Sequence, residues 1–164
     1  MDRQRKQSLL IYLVRRLAEE RRDNGGFVPP QLDALLPARE ALDAAAQDPS
    51  ASGIVGTEQL WLAFRALVNM REPWPADARL LAAQDELLQG LIEETGVTPV
   101  DATAASPLDP RLRLWRGDIT TLAAEAIVNA ANSGMTGCDA QLHADNAIHT
   151  FAGMQLRIEC ARLM

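Results

Sequence analysis

The sequence changes its pattern at Arg111, and that change governs what the chain can fold into. Before it, apolar residues recur at helical spacing; after it they come in short runs broken by Gly, Asp and Asn. Ser8 to Arg22 places Leu9, Leu10, Leu13, Val14 and Leu17 on one stripe, and Asn24-Gly25-Gly26 stops it. Gln31–Gln47 is rich in Ala and Leu, with Pro37 suited to the first turn of its main helix. Thr57 reads as an N-cap for a third helix carrying Leu60, Trp61, Phe64, Leu67 and Val68, ended by Pro73-Trp74-Pro75. Ala76–Glu94 repeats the pattern and closes near Gly96. Segment 97–110 carries three prolines and reads as a linker. The Trp and Leu stripes of this half are those of a helical core and carry no chemistry of their own.

From Arg111 the reading turns to strands. Leu112, Leu114 and Trp115 predict a short strand over 112–117 that ends at Gly117-Asp118. The run Ala126-Ile127-Val128-Asn129-Ala130 is apolar and β-branched, which suits a buried strand beside it. A loop punctuated by Gly134 and Gly137 follows. A single helix is then expected over 145–163, with Ile148, Phe151, Ala152, Leu156 and Cys160 on one face. Strand, link, strand, loop and helix make the start of a layered α/β fold.

Charge narrows the function classes. The net charge is −6, and the basic residues cluster only near the N-terminus, so the basic face of a nucleic-acid binder is not expected. The apolar run Leu9–Val14 is too short to span a bilayer, and Arg15-Arg16 interrupts what would otherwise imitate a signal peptide. A cytoplasmic protein with no membrane partner is the expectation. Two cysteines, Cys138 and Cys160, are too few for a disulfide scaffold.

The motifs are more specific. Leu114-Trp115-Arg116-Gly117-Asp118-Ile119-Thr120, followed by Ala126-Ile127-Val128-Asn129-Ala130-Ala131-Asn132-Ser133, resembles the opening of a macrodomain. Asp145-Asn146-Ala147-Ile148-His149 and Ala152-Gly153 continue the likeness. Gly137-Cys138 and His143 point to the zinc-dependent macrodomains, a group of protein-ADP-ribose hydrolases whose members also carry a helical N-terminal extension. The resemblance implies a helical extension over residues 1–105 and the N-terminal portion of a macrodomain-type α/β/α sandwich over residues 106–164. It is specific in 112–160 and looser before that.

What the resemblance implies about chemistry can be set beside the residues. Asp118 matches the carboxylate that accepts from the adenine amino group of ADP-ribose, with the N–H of Ile119 beside it. Read alone, Asp118 is a turn residue after a strand. Asn132 matches the residue that bonds the distal ribose, while Asn129 reads as a structural group satisfying nearby backbone. Asp145 matches a helix-start aspartate near that ribose, placed to orient or deprotonate an attacking water; an N-cap role would suit it equally. His149, one helical turn on, reads as a structural hydrogen-bonding residue. Cys138 and His143 match two zinc ligands, and a catalytic zinc takes three from the protein. Family members place a second cysteine two residues after that histidine. Here His143-Ala144-Asp145-Asn146 is two residues shorter and that cysteine is missing, while Cys160 lies too far along the helix to replace it.

The expectation is therefore an enzyme that hydrolyses protein-linked mono-ADP-ribose, with ADP-ribose or an ADP-ribosylated protein as partner and zinc as the implied cofactor. The family's glycine-rich phosphate loop has no counterpart in the chain, so it reads as the first third of a macrodomain with impaired activity. The alternatives are a module that binds ADP-ribose without cleaving it, and an inert fragment whose helical part mediates interactions.

Overall fold

The computed structural model describes residues 1–26, 28–48, 55–137 and 144–164. Its first half is a helical bundle built around α1 (Arg3–Asp23). Asp2 caps that helix, its carboxylate accepting the Arg5 N–H at 2.8 Å. The predicted stripe is buried: Leu10, Leu13 and Val14 have no exposed surface. Helices α3 (Arg39–Gln47), α4 (Thr57–Asn69) and α5 (Ala78–Thr95) pack on it, and the short α2 (Pro30–Asp33) leans on α4. Pro30 opens α2, Pro37 lies in the turn before α3, and Thr57 is the first helical residue after the cap Gly56. Asp77 caps α5 through the Leu80 N–H at 2.8 Å. Phe64, Leu60, Leu67, Leu80 and Leu87 complete the core, each such side chain contributing about 1.5–3 kcal/mol relative to exposure.

A buried cation ties the bundle at one end. Arg71 is 2% exposed and makes a two-armed contact with Glu20, both N–O distances 2.7 Å, while its remaining donors reach the carbonyls of Glu72 and Pro75. The fork geometry matches a carboxylate, so the charge is compensated and its donors are satisfied.

The segment read as a linker has structure of its own. Thr98–Pro99 (β1) pairs in parallel with Leu122–Ala123 (β4), and Ala104–Ala105 (β2) pairs antiparallel with Arg113–Leu114 (β3). Arg113 also donates to the carbonyls of Asp101 and Thr103, which fastens this loop to the strand that follows. Its prolines shorten the ladders, because each lacks an N–H to donate. The chain is thus α/β, dominated by helix, with two small two-stranded sheets among the described residues.

Two expectations for the second half are corrected by the structure. Residues 126–130 form no strand and do not pair with 112–117; Val128 is 94% exposed. A buried strand needs pairing at its edges and cover on its faces, and the described residues supply neither to this run. The single helix expected over 145–163 is two helices, α6 (Ala144–Ala152) and α7 (Met154–Leu163). Gly153 breaks it at φ 78, ψ −178, a conformation essentially restricted to glycine. The break lets α7 seat its first N–H, that of Met154, on the Oε1 of buried Gln84 in α5 at 2.8 Å. Gln84 Nε2 in turn donates to Gln155 Oε1 at 2.7 Å, and Gln155 Nε2 to Asp85 at 3.0 Å. Met154 is 1% exposed and belongs to the same core as the leucines of α1, α4 and α5.

Candidate functional site

Helix α6 carries two differently occupied faces. Asp145 and His149 are one turn apart and both buried. Asn129 Nδ2 donates to Asp145 Oδ1 at 2.6 Å, and His149 Nε2 stands 3.5 Å from the same oxygen. Among the described residues both contacts fall on Oδ1. The hydrogen bond from Asn129 is what draws the segment before the loop onto α6. Sequence reading gave Asn129 a part in satisfying backbone; its partner is instead the carboxylate. Nothing short of the fold pairs residues 16 apart in sequence.

Burial pushes the His149 imidazole below its usual value, against the attraction of the Asp145 carboxylate and assisted by the nearby Arg157 guanidinium. The ring is held neutral, and its buried Nδ1 has no partner among the described residues. A neutral ring whose Nε2 stands 3.5 Å from the carboxylate packs beside Asp145 without adding charge. Gly137 presses on this ring: a Cβ there would lie 3.1 Å from His149 Cδ2 and 2.8 Å from Arg157 Nη2, at a φ of 78.

Asn132 closes the loop that leads to Gly137. Its Nδ2 donates to the Gly137 carbonyl at 2.7 Å, and its Oδ1 accepts the Gly134 N–H at 3.0 Å. One N–H and one lone pair of the amide stay uncommitted. Asp118 caps the short 3₁₀ turn Ile119–Thr121, with Oδ1 accepting from the Thr120 N–H at 2.9 Å and the Thr120 hydroxyl at 2.7 Å. Ile119 is the first residue of that turn, where an N–H has no carbonyl of the turn to bond. The turn itself packs against α6. The fold therefore joins Asn129 to Asp145, ties Asn132 to Gly137 beside His149, and sets the Asp118–Ile119 turn against the same helix. Cys138, Asp139 and His143 lie outside the described residues.

Of the groups that could hold a metal, the described residues include no cluster of three His, Cys, Asp or Glu. Asp145 is turned toward Asn129 and His149, and Cys160 is buried on α7. A catalytic zinc takes three protein ligands, and thiolate plus imidazole from Cys138 and His143 would provide two.

Similarity to known proteins adds to this geometry. A protein-ADP-ribose hydrolase of Staphylococcus aureus (strain Mu50) is 34% identical over 161 residues, covering 94% of this chain and 49% of that protein. The chain is similar to this protein-ADP-ribose hydrolase over nearly all of its own length. A second such hydrolase, from Treponema medium, is 49% identical over 107 residues, 62% of this chain and 40% of its own length. A probable bifunctional ADP-ribose hydrolase/ADP-ribosyltransferase of Fusarium oxysporum f. sp. cubense is 39% identical over 112 residues, which are 62% of this chain and 19% of that protein. The chain spans about half the length, or less, of these curated relatives. No family model matches it. The likeness to the hydrolase of S. aureus runs through the helical half as well as the motifs, so both halves belong to the resemblance.

Proposed function

We propose that this chain serves the hydrolysis of ADP-ribose from modified protein side chains, in the manner of a macrodomain. The observation that carries the reading is the similarity to a protein-ADP-ribose hydrolase along 94% of the chain. Asp118 and the Ile119 N–H would receive the adenine edge, since a carboxylate oxygen and a free N–H match an amino group and a ring nitrogen. Asn132 would meet the distal ribose with its uncommitted N–H and lone pair. Asp145 Oδ2 would accept a proton from water as that water attacks the anomeric carbon, while the bond to the protein side chain breaks. Asn129 and His149 would hold Oδ1 so that Oδ2 keeps its aim. Neither a nucleic acid nor a membrane is part of this reading, and no helix among the described residues is long and apolar enough to cross a membrane. We place the protein in the cytoplasm. Zinc, where it binds, would be held by Cys138 and His143.

The absence of the family's second cysteine after His143 favours a second reading, a module that holds ADP-ribose without cleaving it. One set of measurements separates the two. ADP-ribose at millimolar concentration should shift the amide resonance of Ile119 and the side-chain amide of Asn132, and Asp118→Ala should remove those shifts. Released ADP-ribose from a mono-ADP-ribosylated protein reports cleavage, which Asp145→Asn should abolish while binding persists. Binding without release establishes the module. Ligand shifts confined to residues away from 118–145 would overturn both.

A further inference from the structure

The second face of α6 meets the helical bundle through buried hydrogen bonds as well as through the packing of Phe151 on Trp61, their ring centroids 6.0 Å apart. Arg65 Nη2 donates to Asn146 Oδ1 at 3.1 Å, and Asn69 Nδ2 donates to Thr150 Oγ1 at 2.7 Å. Both donors are one turn apart on α4 and both acceptors one turn apart on α6, so the contacts form two rungs in register. Within each helix the rungs are braced: Asn69 Nδ2 also donates to the Arg65 carbonyl at 2.9 Å, and the Thr150 hydroxyl donates to the Asn146 carbonyl at 2.7 Å. Arg157 of α7 adds a cross-tie, donating to the Arg71 carbonyl at 2.8 Å and to the Asn69 carbonyl. Asn69, Asn146 and Thr150 are each no more than 2% exposed.

Such rungs differ from apolar packing in being directional. Leucines at these places would glue α6 to α4 yet tolerate rotation, whereas buried polar groups lose their partners when the helix turns. Rotation is what matters for the neighbouring face. Consecutive residues on an α-helix lie about 100° apart, so Asn146 and Asp145 point to different neighbours, and the phase of one fixes the phase of the other.

We propose that Arg65 and Asn69 of α4 are positioning residues: through Asn146 and Thr150 they set the rotation of α6 and thereby the aim of Asp145 at Asn129. The helical N-terminal part is then a component of the site and not an appendage. This rests on the reading of Asp145 as the group that handles water, but its direct consequence, the Asn129–Asp145 contact, can be observed without turnover.

The test uses the whole chain with Asn69→Leu, Thr150→Val and their combination. Thr150→Val conserves shape and keeps the experiment open should Asn69→Leu fail to fold. The side-chain amide pair of Asn129, assigned by its loss in Asn129→Ser, reports the hydrogen bond to Asp145. It should move toward the position of a free amide in each single variant, with no further movement in the double. In the hydrolysis assay kcat should fall about tenfold with KM within about twofold, and Arg65→Lys, which keeps a donor, should retain more activity than Arg65→Met. Folded variants with an unmoved Asn129 amide, or with equal losses in kcat and in ADP-ribose affinity, would overturn the proposal. A wild-type chain that neither binds nor releases ADP-ribose would overturn the reading of Asp145, while the amide measurement still decides the positioning.

Discussion

Two glycines of this chain share an unusual backbone conformation and differ in what surrounds them, which makes a matched pair of perturbations. Gly96 sits at φ 83, ψ 161 after α5, and Gly153 at φ 78, ψ −178 before α7. Alanine in this region carries a backbone penalty of about 1–3 kcal/mol, and the penalty should be similar at both sites. At Gly96 a Cβ meets nothing within 4 Å, so strain is the whole cost. At Gly153 it would lie 2.3 Å from Gln84 Nε2 and 2.8 Å from Gln155 Oε1. Gln84 is fully buried and must move, giving up its bond to the Met154 N–H and its contact with Gln155. A buried polar group left without a partner costs about 1–3 kcal/mol. Gly153→Ala should therefore be less stable than Gly96→Ala by about 1–3 kcal/mol. Urea unfolding followed by circular dichroism reads this as a lower midpoint at an unchanged slope. A second variant, Gln84→Leu, removes the same bond without backbone strain and should recover part of the difference when combined with Gly153→Ala. Equal midpoints for the two alanine variants would refute the argument, because the Gln84 seat would then contribute nothing to stability.

Other outcomes follow from features nearby. Arg71→Met removes one partner of a buried ion pair and strands Glu20; it should cost about 3–5 kcal/mol, measured as a lowered thermal midpoint. His149 is held neutral by burial, so its folded pKa lies below the unfolded value near 6.5, and the unfolded chain takes up the proton first. Its contribution to stability is present above pH 6.5 and declines as pH falls from there toward the folded value; His149→Gln should flatten that part of the curve of unfolding free energy against pH. Zinc should be retained at well below one ion per chain after dialysis, by elemental analysis, and Cys138→Ser should remove what remains. One tightly held zinc per chain would restore a metal-assisted mechanism.

The helices were legible because their stripes are self-contained: Leu9 to Leu17 and Leu60 to Val68 declare a buried face whatever they pack against. The strands were not. Pairing of Thr98 with Leu122, or of Ala104 with Leu114, joins short stretches with no periodic signal, one of them in a proline-bearing run that reads as linker. Ala126–Ala130 has strand composition, but composition states a preference and pairing needs a partner. The break at Gly153 had a signal in the glycine itself, overridden by the apolar spacing that continues through it. Asp118 and Asp145 are singled out by motif likeness; Asp118 caps its turn as the local reading expects, while Asp145 lies inside the first turn of α6 and not at an N-cap. Arg65, Asn69 and Gln84 were missed because polar residues inside a helical stripe look like its solvent face; only the fold reveals what they meet.

Met154 has a consequence for how such a protein can be divided. Its side chain fills a place in the core made by α1, α4 and α5, and its N–H is seated on Gln84. A cut between the helical part and the motif-bearing part would leave a methionine-sized void among the leucines on one side and a bare Met154 on the other, and emptied core sites of that size cost about 2–5 kcal/mol. Neither piece inherits a finished surface. Recombination that transplants residues 106–164 onto another helical partner would thus have to carry a matching socket with it, which binds the inheritance of the two halves together.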